Sequence, residues 1–181
     1  MSRKYKFYNK EGLYFVSFAV VYWLDVFTRE DYFAIMRDSL AYCRQHKGME
    51  IYAWCIMPSH VHLVFRAKEN NPSVLLKELK TFTSKAIQKA IAEHPQESRK
   101  AWLLWLMERA GLKNSNVKHR QFWQQHNQPI ELWSTAVIDQ KIDYIHQNPV
   151  EAGFVSEAHH WKYSSAIDYS GGKGLLELDI A

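Results

Sequence analysis

The stretch from Leu13 to Leu24 carries no charge, and aromatic or β-branched side chains (Tyr14, Phe15, Val16, Phe18, Val20, Val21, Tyr22) occupy both of its alternations. A strand that is apolar on both faces must be covered on both, so Leu13 to Trp23 is predicted to be an inner strand of a sheet. It is too short to cross a bilayer as a helix, which takes about 20 apolar residues. The basic start (Arg3, Lys4, Lys6, Lys10) imitates a signal peptide, but Glu11 interrupts it and no small-x-small site follows, so it reads as mature sequence. With 181 residues, 47% of them hydrophobic, the chain can build one self-sufficient core and hardly two. A single domain over 1–181 is expected, with a basic amino-terminal arm (1–12) and a carboxy-terminal tail (156–181). Cys43 and Cys55 form no Cys-x-x-Cys pair, which points to reduced thiols and a cytosolic protein.

Periodicity supplies the elements that must cover this strand. Thr28 followed by Asp31 has the form of a capping box, and Phe33, Met36, Leu40 and Cys43 recur at helical spacing until Gly48. Met49–Met57 and His60–Arg66 read as a hairpin around Pro58-Ser59. After Asn71-Pro72-Ser73 a basic amphipathic helix is predicted over Val74–Ala92, with Leu75, Leu79, Phe82, Ala86, Ile87 and Ala90 on its apolar stripe. A short helix follows at Trp102–Leu112. The segments Gln121–Gln125 and Pro129–Trp133 offer a fourth strand or an ordered loop. Ser134 caps a last helix from Thr135 to about Gln147, ended by Asn148-Pro149, with a further turn before Gly153. Strand, helix, strand, strand, helix is the opening of a ferredoxin-like split βαβ unit, an α+β sandwich with helices on one face of an antiparallel sheet.

Charge is unevenly placed. Between 99 and 120, Arg99, Lys100, Arg109, Lys113, Lys118 and Arg120 face Glu108 alone, whereas two lysines meet five acids after Val150. Basic residues interleaved with abundant aromatics (14% Phe, Trp and Tyr) suit attraction of phosphates and stacking of bases.

The residues able to do chemistry are few. In His60-Val61-His62 the strand period of two projects both imidazoles from one face. Alone, such a pair is more often a polar patch than a metal site, because a divalent cation needs at least one further ligand. In Tyr144-Ile-His-Gln-Asn148 the spacing of four pairs a phenol with an amide on one helix face, while His146 points about 160° away. A phenol is a poor nucleophile at neutral pH unless a cation or base stabilises its phenolate.

Taken together, Met57-Pro-Ser-His-Val-His-Leu-Val64, Tyr144-Ile-His-Gln-Asn-Pro-Val-Glu-Ala-Gly153 and Trp161-Lys-Tyr-Ser-Ser165 resemble the HUH single-strand DNA transposases and, within them, the REP-associated tyrosine transposases. The resemblance implies a ferredoxin-like α+β sandwich with an antiparallel central sheet and helices packed on it. It implies cleavage and rejoining of single-stranded DNA at hairpins of repetitive extragenic palindromes through a 5′-phosphotyrosine. His60 and His62 would hold Mg²⁺ or Mn²⁺ and Tyr144 would be the nucleophile. Asn148 would stand where insertion-sequence relatives carry the longer Gln, which leaves water or His146 as other sources of the third ligand. Lys77, Lys80, Lys85, Lys118 and Arg120 would bind the backbone with salt-sensitive affinity, and Arg3, Lys4 and Tyr5 would read bases at the hairpin foot. The implied protein is cytoplasmic, nucleoid-associated and monomeric, with its tyrosine acting in cis, and Tyr163 is a second candidate nucleophile. The competing reading is a catalytically silent hairpin-binding module that stacks bases on Tyr52, Trp54 and Phe65. A two-histidine phosphodiesterase is excluded, since the chain has neither His-x-Ser nor His-x-Thr.

Overall fold

Antiparallel pairing joins β1 (Tyr14–Ala19), β2 (Met49–Ile56), β3 (His60–Ala67) and β4 (Ile130–Glu131) into one sheet of order β2-β3-β1-β4. The computed structural model describes residues 7–68, 71–115, 117 and 119–179, and within them α1 (Glu30–His46), α2 (Pro72–Glu93), α3 (Lys100–Leu112), α4 (Thr135–Glu151) and α5 (Ala166–Tyr169). The fold is α+β, with an antiparallel central sheet and helices packed on it.

Side-chain alternation divides the core in two. Tyr14, Val16 and Phe18 of β1, Trp54 and Ile56 of β2, and Val61, Leu63 and Phe65 of β3 pack with Phe33, Met36 and Leu40 of α1, Leu76, Leu79 and Ile87 of α2 and Leu103 and Met107 of α3. The other face, with Phe15, Ala53, Cys55 and Val64, takes Ile142 and Ile145 of α4. The helices therefore lie on both faces, not one, because β1 is apolar on both sides and needs two covers.

Four local expectations change. The first strand ends at Ala19 instead of Trp23, since the chain turns sharply over Val21–Trp23. Thr28 does not cap α1: Arg29 occupies the N-cap and makes no side-chain capping bond, and the Thr28 hydroxyl accepts from Arg99 Nη2 at 2.9 Å. On α2, Leu76, Thr83 and Ile91 are buried and Phe82 is exposed, so the buried stripe is rotated from the predicted one, while Asn71 does cap the helix through Ser73 N. Finally α4 runs through Pro149 to Glu151. The missing Pro N–H falls in its last turn, where Ala152 N to Asn148 O (3.0 Å) and Phe154 N to Pro149 O (2.9 Å) close the helix around Gly153 at φ +75°. The fourth strand is the two-residue β4; Trp123 adds a single bridge to Val20.

The free edge of β2 is covered from within. Ile56 N donates to Tyr163 O (2.8 Å), Ser165 N to Trp54 O (2.9 Å) and Asp179 N to Ile51 O (2.8 Å), and Arg44 holds the Asp179 and Glu177 carboxylates. A covered edge offers no template for pairing with another chain. No helix among the described residues is long and apolar enough to cross a membrane.

One buried carboxylate ties the α2–α3 connection to α1. Glu97, 4% exposed, accepts from Arg29 Nε (3.1 Å), Arg99 Nε (3.1 Å), Arg99 N (3.1 Å) and the Tyr32 hydroxyl (3.2 Å). Burial alone would raise its pKa, but the Arg99 and Arg29 bonds outweigh it and hold the group down at about 2. Removing one partner of such a network leaves the others uncompensated, so Glu97→Gln is expected to cost about 3 kcal/mol in urea unfolding. A loss of less than about 1 kcal/mol, the scale of an exposed pair, would contradict this account.

Candidate active site

The Pro58-Ser59 turn delivers two imidazoles to the α4 face of the sheet. Met57 N closes the turn on His60 O (2.8 Å), and the turn is pinned by Val20 N on Ser59 O (2.8 Å) and Phe27 N on Pro58 O (2.9 Å). In the β1–β3 register His60 lies opposite Ala19 and His62 opposite Ser17, and on the other side His62 lies opposite Cys55. Small neighbours leave space at the sheet surface for both rings, whose centroids are 4.7 Å apart.

Helix α4 crosses above them. Tyr144 presents its ring edge-on to His62 (5.3 Å between centroids) and to Phe15 (5.9 Å), and is 43% exposed. One turn on, Asn148 Oδ1 lies 3.3 Å from His60 Nε2, so the shorter amide reaches His60. His60 Nδ1 is 3.1 Å from Ser59 Oγ. His146 points to the opposite side of the helix, where its Nε2 lies 2.8 Å from Ser165 Oγ in a buried contact. The structure thus brings His60, His62, Tyr144 and Asn148 together and leaves His146 out.

The electrostatics favour neutral rings. His62 is 2% exposed, and burial, with His60 and Lys141 nearby, lowers its pKa to about 3; burial lowers that of His60 as well, against the Asn148 bond. Among the described residues, neither ring nitrogen of His62 has a hydrogen-bond partner. A buried polar group without a partner is costly, and the lone pair of a neutral imidazole is what a metal takes. Two imidazoles and an amide oxygen therefore fit a divalent cation. Among the described residues Glu157, His159 and His160 also bring ligand atoms within 4.8 Å of one another, at the surface and apart from these residues in sequence.

The basic residues gather elsewhere. Lys77, Lys85 and Arg120 line a cleft of about 990 Å³ between α2 and the 117–127 segment, on the side of the sheet away from α4. Lys80 lines it too, but its buried ammonium is spent on Gln124 O (3.0 Å) and Asn127 Oδ1. Lys118, Arg3, Lys4 and Tyr5 lie outside the described residues. Tyr163 stacks on Phe33 at 3.6 Å, and its hydroxyl bonds Glu30. Tyr52, Trp54 and Phe65 are buried and offer no face for stacking. Sequence reasoning missed Lys141, whose ammonium sits over Phe15 (5.1 Å) and Tyr144 (5.5 Å), although its place three residues before Tyr144 was a signal for it. It also missed Trp23, edge-on to His60 at 5.4 Å.

Comparisons with known proteins bear on the same region. A family model described as "Transposase IS200 like" matches residues 13–106, which include both histidines but stop short of α4. A Haemophilus influenzae protein assigned as a REP-associated tyrosine transposase is 28% identical over 91% of this chain and 85% of its own. The REP-associated tyrosine transposase of Escherichia coli is 23% identical over 82% of this chain and 73% of its own. Among solved structures, a REP-associated tyrosine transposase bound to a REP hairpin superposes with a TM-score of 0.60 at 18% identity, covering 99% of this chain and 93% of that one.

Burial of neutral histidines has a consequence for stability. The folded values of His62 (about 3) and His146 (about 4) lie below the ordinary 6.5, so the unfolded chain takes up protons that the fold refuses. Their contribution is complete above pH about 6.5 and is lost as pH falls towards 4, at about 1.4 kcal/mol per pH unit for each histidine. Urea unfolding of metal-free protein between pH 7 and 5 is expected to show stability falling with pH, and His146→Gln to make that slope distinctly shallower. An unchanged slope in the variant would refute the assignment to His146.

Proposed function

The chain belongs to the IS200-like transposase family, and from that premise we propose that it is a metal-dependent tyrosine transposase or endonuclease of single-stranded DNA hairpins of the repetitive-palindrome kind. The observation that carries the reading is the convergence, within one chain, of an accessible Tyr144 phenol with His60, His62 and Asn148. The likeness to REP-associated transposases, one of them bound to a REP hairpin, supports the choice of substrate.

His60, His62 and Asn148 would hold Mg²⁺ or Mn²⁺, which when bound supplies Lewis-acid polarisation of a phosphate oxygen. The residues of the chain do the rest. Packing of Phe15 and His62 against the Tyr144 ring holds the phenol beside the histidines. The Tyr144 oxygen attacks phosphorus in line, the P–O3′ bond breaks, the phenol proton leaves to solvent while the departing O3′ takes one from solvent, and the products are a 5′-phosphotyrosine and a free 3′-hydroxyl. Because the phosphotyrosine keeps the ester, a second 3′-hydroxyl can displace Tyr144 and rejoin strands. Supply of all four groups by one chain supports action as a monomer with the tyrosine in cis. Lys77, Lys85 and Arg120 would hold the DNA backbone electrostatically. Action on chromosomal hairpins would keep the protein in the cytoplasm with the nucleoid.

Incubation with labelled hairpin DNA and Mn²⁺ or Mg²⁺ is expected to yield a covalent protein–DNA adduct on a denaturing gel. Tyr144→Phe should abolish it, and His60→Ala with His62→Ala should lower its rate by at least about a hundredfold, the scale of a lost electrostatic or acid–base contribution. An adduct that survives Tyr144→Phe would move the nucleophile to another tyrosine. Tight binding without any adduct would favour the silent hairpin-binding module.

A further inference from the structure

Immediately after β1 two consecutive aromatic residues adopt left-handed backbone, Tyr22 at φ +57° and Trp23 at φ +55°. Side chains with a Cβ rarely enter that region, bulky ones least of all, and such strain concentrates where function demands it. Here the strain buries neither aromatic. The turn seats Val20, Val21 and Leu24 in the core and turns the two aromatics outward, leaving Tyr22 48% and Trp23 58% exposed. The conformation is held from both sides: Val20 N donates to Ser59 O (2.8 Å), Val21 N to Phe122 O (2.8 Å), Trp23 N to Val20 O (3.0 Å) and Leu24 N to Val21 O (3.3 Å). The outcome is an indole that stays more than half exposed while its ring centroid lies 5.4 Å from that of His60, the two planes at 71°.

An exposed indole on a hydrogen-bonded turn at the rim of a site for a phosphate ester matches one ligand chemistry, the flat face of a nucleobase. We propose that Trp23 is the stacking platform for the nucleobase adjoining the phosphate that Tyr144 attacks. This assignment rests on the transposase reading for the identity of that phosphate, but the stacking itself does not require cleavage. Base–aromatic stacking tolerates any base, because every base has a π-face. Trp23 would therefore anchor one unpaired nucleotide beside His60 and hold its phosphate within reach of Tyr144 without choosing its sequence.

The test is an abasic scan. Binding of single-stranded hairpin DNAs, each lacking one base in turn, is measured by fluorescence anisotropy with Tyr144→Phe protein, so that no strand is cut. In the parent, loss of one particular base is expected to weaken binding about tenfold. Adding Trp23→Leu should weaken binding of intact DNA about tenfold and erase the penalty at that position, whereas Trp23→Phe should keep most of it. Trp23→Gly separates function from folding: glycine accepts the positive φ, so the melting temperature should hold or rise while the penalty disappears. Equal penalties at every position in parent and Trp23→Leu protein would overturn the proposal. So would an erased position more than two nucleotides from the phosphate that Tyr144 protein cleaves. If Tyr144 protein cleaves no DNA, the transposase reading fails while an erased penalty still establishes stacking on Trp23.

Discussion

The antiparallel register of β1 on β3 is the constraint from which the rest of the molecule follows. It sets Ala19 beside His60 and Ser17 beside His62, and β2 adds Cys55 on the other flank. A slip of one residue would exchange the faces of the sheet, driving both histidines under α1 and α2 and turning Val61 and Leu63 towards α4. The register is held because Tyr14, Val16 and Phe18 must meet the first helical layer while Phe15 meets the second. A core with two covered faces is therefore also what keeps two imidazoles on one of them.

The same burial that makes the histidines useful makes them expensive. His62 is enclosed, neutral and without a hydrogen-bond partner among the described residues, the state in which an imidazole is a ready ligand and a poor contributor to stability. The strained turn at Tyr22 and Trp23 lies against the same histidine pair. Cost is met elsewhere, by the buried Glu97 network and by the tail that completes the β2 edge. The basic cleft under α2 faces away from the histidines, so a strand engaging both would have to pass around an edge of the sheet.

Much of this was legible in the sequence for simple reasons. Period-two alternation around Pro58-Ser59 located both hairpin strands to within a residue, and it is the same alternation that put His60 and His62 on one face. Helical spacing paired Tyr144 with Asn148 and turned His146 away, which the Ser165 contact reflects. Errors arose where tertiary contacts outbid local preference. Thr28 looked like a cap, but Arg99 from a distant segment claims its hydroxyl. Pro149 looked like a stop, yet it falls in a last turn that has little left to lose. Lys80 looked like a surface cation on a basic helix, and a distant loop captured its ammonium.

The sequence alone determined which residue types could do chemistry and which of them share a strand face or a helix face, because those follow from local geometry that every chain obeys. Only the tertiary structure decided that the Tyr144 face of α4 lies over the His60 face of β3, that Asn148 is long enough to reach His60, and that Trp23 is turned out beside the histidines at the cost of a left-handed backbone. Those facts depend on which apolar stripe packs on which side of the sheet, and that is settled by the fit of the whole core.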